Sequence, residues 1–284
     1  MTHNDTPPRV LTIAGSDSGG GAGLQADLRT FFACGVHGMT AVTAVTVQNS
    51  LGVSGVSVIP PEIVAAQIEA VAEDIGVLAA KTGMLATAEI IEAVAKACDR
   101  VHIGRDGSIP FVVDPVAASM HGDQLLLDNA LDALRTELFP RATLVTPNLD
   151  EVRLLTGIDV RDHHEAREAA KALHAMGPQW TLVKGGHMRD DPECVDFLYD
   201  GETFLELPAR RVDTRHTHGG GDTMASAITS ALARGASMPD AVRFGKEFVT
   251  NAVQHAYPLG SGVGPVSAFW RLPQETLPTF GQRG

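Results

Sequence analysis

Apolar positions along the chain fall into two patterns: short solid runs, and longer stretches in which every third or fourth residue is apolar. Residues 10–14 form the first solid run and end in Gly15, Ser16 and Asp17 and a glycine-rich segment at 18–23, which predicts a strand feeding a loop. Residues 24–34 then carry helical spacing, with Leu24, Leu28, Phe31 and Phe32 on one face and Gly35 placed to end the helix. The alternation continues. Strands are predicted at 39–47, 79–84, 111–113, 143–146 and 181–183, and helices at 60–72, 88–98, 125–138, 149–155 and 163–176. Residues 195–207 alternate around Asp200-Gly201-Glu202, the pattern of an antiparallel edge hairpin. Helices at 224–233 and 239–256 and a glycine-rich loop at 259–266 close the pattern. Strands alternating with helices imply an α/β fold with a mainly parallel sheet covered on both faces.

In such sheets ligands bind beyond the carboxyl ends of the strands. Asp17, Gln48, Asp114, Asn148 and Lys184 each follow an apolar strand, as does the loop at Gly83. The stretch His218-Gly219-Gly220-Gly221-Asp222-Thr223 precedes a helix of small residues. Its glycines let backbone N–H groups converge, and the helix start adds unpaired donors and the positive end of a dipole, together an anion cradle. Asp222 at its lip suits proton removal from a nucleophile attacking phosphate, although a plain glycine turn capped by Asp222 or Thr223 reads equally from the local sequence. Asn148 and Glu151 are similarly open: a capping box, or an amide for phosphate and a carboxylate for the water shell of Mg²⁺. Lys184 could neutralise phosphate charge or be a solvated loop lysine. Asp114 could serve Mg²⁺ or a turn before Pro115, and Gln48 could pair with a nitrogen heterocycle or with loop backbone. Neither GxGxxG nor GxxxxGK[ST] is present, and His163-His164-Glu165 lacks metal-ligand spacing.

Composition narrows the partners. The formal net charge of −12 over 284 residues excludes a nucleic-acid or anionic-membrane surface as the main function. No apolar run nears the roughly 20 residues of a membrane span, and the polar N-terminus with Pro7-Pro8 does not read as a signal peptide. A cytoplasmic protein is expected, with Cys34, Cys98 and Cys194 reduced. One domain is expected over 10–272, with a flexible lead at 1–9 and a C-terminal tail at 273–284.

The stretches 14–28, 47–49, 81–84, 113–116, 146–151, 183–187 and 217–223, in this order, resemble the hydroxymethylpyrimidine/phosphomethylpyrimidine kinases, the thiamine-pathway branch of the ribokinase-like superfamily. The resemblance implies a three-layer α/β/α fold and ATP-dependent phosphorylation of an aminopyrimidine, 4-amino-5-hydroxymethyl-2-methylpyrimidine, and then of its monophosphate. Gly15, Asp27, Gln48 and Met84 would bind the pyrimidine. Asn148, Lys184, Val212, Thr217, Lys246 and Val249 would bind ATP, Asp114 and Glu151 would serve Mg²⁺ through water, and Gly219, Gly220 and Gly221 would form the anion hole beside the base Asp222, with Lys184. A homodimer is implied as well. Two departures stand out. The family usually has a cysteine where this chain has Asp222, which favours proton abstraction and weakens the expectation of the second phosphorylation. Ala117 and Met120 replace the family's usual methionine and lysine. The alternatives are a pyridoxal kinase and a ligand-sensing protein without catalysis on the same fold.

Overall fold

The computed structural model describes residues 6–105, 107–117, 128–187 and 193–272. The expected tail at 273–284, most of the expected lead, Met120 and residues 125–127 lie outside them. In chain order the elements are β1 (Arg9–Asp17), α1 (Gly23–Ala33), β2 (His37–Asn49), β3 (Gly52–Val58), α2 (Pro61–Asp74), β4 (Ala79–Thr82), α3 (Ala88–Arg100), β5 (Phe111–Val113), α4 (Asp128–Ala133), β6 (Leu144–Val145), α5 (Leu149–Thr156), α6 (His163–His174), β7 (Trp180–Val183), β8 (Asp196–Tyr199), β9 (Phe204–Leu207), α7 (Gly220–Ala233) and α8 (Met238–Gln254).

The strands form one nine-stranded sheet in the order β3-β2-β1-β4-β5-β6-β7-β8-β9. From β2 to β7 all neighbours are parallel, while β3, β8 and β9 pair antiparallel at the two edges. The solid apolar runs have a simple cause: β4, β5 and β6 are buried on both faces, so neither side of the pleat can be polar without a partner. One core layer joins Val64 and Ile68 of α2, Ile90 and Val94 of α3, Val152 of α5 and Ala169 of α6 to the sheet. The opposite layer joins Phe31 of α1 to Met224 and Ile228 of α7 and Val242 of α8. Among the described residues no helix is long and apolar enough to cross a membrane.

Four elements differ from the pattern reading. Residues 48–52, read as a polar tip, belong to a β2–β3 hairpin, with Asn49 paired to Gly52. α7 starts at Gly220, so the glycines and Asp222 occupy its first turn instead of preceding it. α4 is a six-residue helix followed by a wider π turn at Leu134–Leu138. Of the four apolar residues expected on one face of α1, Leu24 and Phe31 are buried, while Leu28 and Phe32 are 38% and 73% exposed.

The chain leaves β1 toward β2 on one side and later returns to β4 on the other. This reversal opens a crevice at the carboxyl ends of β1 and β4, the place where open α/β sheets bind ligands.

Candidate active site

Two loops meet over that crevice, the segment after β1 and the start of α7. Asp17, the last residue of β1, organises the first. Its Oδ1 accepts from the Gly19 N–H at 2.8 Å, and its Oδ2 accepts from the Gly21 and Ala22 N–H groups, both at 2.9 Å. His218 Nε2 lies 3.0 Å from the same Oδ2 and so ties the second loop to the first. Burial alone would raise the Asp17 carboxyl, but the hydrogen bonds from His218, Ala22 and Gly19 together outweigh it and hold the group below the usual carboxylate range. Asp17 was legible only as a polar strand end, and His218 only as the start of a glycine run. Their separation of 201 positions left no local signal for the pair.

Gly219 takes a left-handed conformation at the N-cap of α7, φ 75°, and lies against the Gly21 carbonyl. The Gly220 N–H is already bonded to the Thr217 carbonyl at 3.1 Å, and the Thr223 N–H to that of Gly219 at 2.9 Å. Gly220 cannot contribute its donor while that turn bond stands, and the first-turn N–H groups of Gly221 and Asp222 have no carbonyl one turn earlier within the helix. The Asp222 carboxylate is held from two sides: Oδ2 accepts from the Gly23 N–H at 3.1 Å, and Oδ1 lies 3.5 Å from Lys81 Nζ.

Lys81 was read only as part of a strand end. It is fully buried, with Nζ 2.8 Å from Asp27 Oδ1. Asp27 also accepts from Thr12 Oγ1 and Ser226 Oγ, both at 2.6 Å. Asp27, expected among the pyrimidine contacts, has no exposed surface and carries three side chains on its oxygens. Burial pushes the Asp27 carboxyl up to about 6 although Lys81 pulls it down. Burial opposes the Lys81 charge, but Asp27, Asp222 and Asp114 overcome it and the ammonium stays protonated. Removing one member of such a pair leaves an uncompensated buried charge, which costs about 3–5 kcal/mol.

A second ionic group stands across Gly221. An ideal Cβ on Gly221 would lie 3.3 Å from Lys184 Nζ and 3.5 Å from Asp114 Oδ2. Lys184 Nζ is 3.0 Å from Asp114 Oδ1, which also accepts from Thr146 Oγ1 at 2.9 Å. Burial opposes the Lys184 charge, and Asp114, Glu151 and Asp222 more than restore it. Asn148 and Glu151 form the capping box of α5: Asn148 Oδ1 accepts from the Glu151 N–H at 2.9 Å, and Glu151 Oε2 from the Asn148 N–H at 2.8 Å. Burial pushes the Glu151 carboxyl up to about 8, with Lys184 opposing and Asp114 reinforcing the shift. The capping reading is therefore correct for the hydrogen bonds, and it leaves the carboxyl next to Asp114 and Lys184. Among the described residues no three His, Cys, Asp or Glu side chains could hold a metal ion as a group. Two carboxylates, completed by waters and phosphate oxygens, do fit the incomplete protein shell that Mg²⁺ accepts.

The remaining expected contacts divide. Met84 lies against Gly15, its Sδ 3.3 Å from an ideal Cβ there, and packs with Ala44 and Ala86. Gln48 is half-buried, its Oε1 accepting from Thr46 Oγ1 at 3.0 Å and its Nε2 3.5 Å from His218 Nε2. Val212 is half-buried, Thr217 exposed, and Val249 packs on the α7–α8 core. The Lys246 ammonium is spent inside the protein, 2.7 Å from the Cys194 carbonyl and 2.8 Å from Asp196 Oδ2, so it is not a free cation for phosphate. Asp196 Oδ1 in turn accepts from the Gly185 N–H at 2.9 Å, which steadies the loop that carries Lys184.

The arrangement joins a carboxylate at a helix start to a buried cation, and sets a lysine and a further carboxylate against the neighbouring glycine, a layout suited to moving a phosphoryl group. The comparisons agree with it. A sequence profile of the phosphomethylpyrimidine kinase family matches residues 17–267. The chain is 60% identical over 267 residues to the hydroxymethylpyrimidine/phosphomethylpyrimidine kinase of Mycobacterium tuberculosis, covering 94% of this chain and 96% of that protein. The structure of a Staphylococcus aureus pyridoxal kinase in complex with AMP-PCP and pyridoxal superposes with a TM-score of 0.83 at 36% identity, covering 92% of this chain and 93% of the other. A Clostridium difficile phosphomethylpyrimidine kinase gives 0.75 at 39% identity, covering 86% and 99%. With a profile match from Asp17 through Ser267 and a relative this similar along nearly its whole length, the chain belongs to the phosphomethylpyrimidine kinase family.

Proposed function

We propose that this chain transfers the γ-phosphoryl group of ATP to the hydroxymethyl oxygen of 4-amino-5-hydroxymethyl-2-methylpyrimidine, a step of thiamine diphosphate formation, as one cytoplasmic domain over residues 10–272. The observation that carries the reading is Asp222 in the first turn of α7, with Lys184 and Asp114 on the far side of Gly221. The Asp222 carboxylate accepts the proton of the substrate hydroxyl as its oxygen attacks the γ-phosphorus in line, and ADP departs. The Gly221 and Asp222 N–H groups, the helix dipole and the Lys184 ammonium stabilise charge on the transferred group. Asp114 and Glu151 would hold Mg²⁺ through its water shell. The ion, when bound, neutralises phosphate oxygens. Gly15, Met84 and Gln48 line the crevice for the pyrimidine ring, and Asn148, Val212, Thr217 and Val249 are the nucleotide contacts assigned here.

The same centre is proposed to phosphorylate the monophosphate, whose attacking phosphate oxygen is already deprotonated near pH 7 and needs no base. The pyridoxal kinase that superposes on this chain supports pyridoxal phosphorylation as the alternative reading, since pyridoxal too offers a hydroxymethyl group on a nitrogen ring. A homodimer is proposed through the exposed apolar face made by Leu28 and Phe32 of α1 and Val45 and Val47 of β2, which are 38%, 73%, 46% and 63% exposed. The test of the chemistry is Asp222→Asn: kcat falls roughly 10²–10⁴-fold with the pyrimidine KM nearly unchanged. Wild-type turnover in this variant would remove Asp222 from the mechanism.

A further inference from the structure

We propose that Lys81 is a positioning residue for the transfer centre: from a fully enclosed site between Asp27 and Asp222 it holds the Asp222 carboxylate turned toward the crevice. The inference rests on the reading of Asp222 as the base.

Burying a lysine is unfavourable unless its charge is matched, and Asp27 already does this. The Asp27 carboxylate is completed by Thr12 and Ser226, so this pair is satisfied without Asp222. Yet Nζ also lies 3.5 Å from Asp222 Oδ1, on the opposite side of that carboxylate from the Gly23 N–H, which binds Oδ2 at 3.1 Å. The two contacts fix the plane of the carboxylate from β4 and from the start of α1. Gly83, directly after the strand that carries Lys81, leaves this line of contact open. An ideal Cβ there would lie 3.6 Å from both Asp222 Oδ1 and Lys81 Nζ, and 3.0 Å from the Ala14 side chain.

The charge balance gives the array its purpose. Asp222 stands in a mostly enclosed site with Asp27 of α1 and Asp114 after β5 nearby. Lys81 from β4 and Lys184 after β7 oppose them. Of these two cations, Lys184 is bonded to Asp114, so Lys81 is the one set directly against Asp222. When Asp222 takes a proton from the substrate, the Lys81–Asp27 pair remains neutral and no buried charge is stranded.

The test uses the full chain with Asp27→Asn/Lys81→Met, a neutral replacement of similar shape, alone and combined with Asp222→Asn. A folded protein is verified by its urea midpoint. The expected result is a roughly 10–100-fold loss of kcat with little change in the KM for either substrate, and no loss beyond that of Asp222→Asn when the pair is introduced into that variant, because coupled groups are not additive. Wild-type kcat in the neutral pair, or an additive loss on top of Asp222→Asn, would overturn the inference while leaving Asp222 as the base. Wild-type kcat in Asp222→Asn would overturn the function reading and the inference with it.

Discussion

The contact between the two glycine loops sets a cost that can be calculated before it is measured. Gly219 has φ 75°, and an ideal Cβ on it would stand 2.1 Å from the Gly21 carbonyl oxygen and 3.1 Å from its carbon. Gly157, which ends α5, has nearly the same backbone, φ 76°, but no heavy atom within 4 Å of its ideal Cβ. Gly157→Ala therefore isolates the backbone term: about 1–2 kcal/mol for the left-handed conformation, less the roughly 0.4–1 kcal/mol returned by a stiffer unfolded chain. Gly219→Ala adds a clash with main chain, which no side-chain rotation relieves. Gly21 can retreat only by loosening its bond to Asp17, so overpacking adds about 1–3 kcal/mol. Urea unfolding of both variants at one pH should show a larger loss for Gly219→Ala by that margin, with unchanged m. The kcat should fall in Gly219→Ala alone, since Gly157 lies outside the site. Equal midpoints for the two variants would refute a locked contact between the loops.

Two further predictions are independent of turnover. Glu151, held by burial at about 8 against an ordinary value of 4.5, binds its proton more tightly folded than unfolded. Its contribution to stability is complete below pH 4.5 and is lost as pH rises through about 8, at up to about 1.4 kcal/mol per pH unit. Glu151→Gln keeps the capping box and should flatten this dependence between urea midpoints at pH 5 and pH 7.5; an unchanged slope would argue against it. Phe32→Asp should convert a dimer to a monomer in light scattering without lowering the melting temperature, because that ring is 73% exposed and supports little within the chain.

The architecture was largely legible because burial on two faces writes solid apolar runs into β4, β5 and β6, and because helices interrupt them at regular intervals. The edge hairpin of β8 and β9 was legible from its turn. β3 was missed because Gly52, Ser54, Gly55 and Ser57 dilute its alternation. The start of α7 was read too late because glycine is a poor helix former, and only the loop packed against it holds the first turn in place. In the site, polar residues at strand ends marked the correct rim, since a strand needs a reason to end in Asp or Lys. Partnerships were not legible. Asp27 and Lys81 lie 54 positions apart, and nothing local separates a carboxylate that faces ligand from one that neutralises a buried lysine. The partner of Lys246 was equally hidden: its charge is met by Asp196 of the antiparallel edge.

The central claim is a phosphoryl transfer from ATP to an aminopyrimidine. It is tested most directly by coupled measurement of ADP formation with hydroxymethylpyrimidine, its monophosphate and pyridoxal under matched conditions. The account predicts the highest kcat/KM for hydroxymethylpyrimidine, measurable turnover of the monophosphate, and dependence of the first transfer on Asp222. A higher kcat/KM for pyridoxal, or no ADP formed with hydroxymethylpyrimidine, would contradict it.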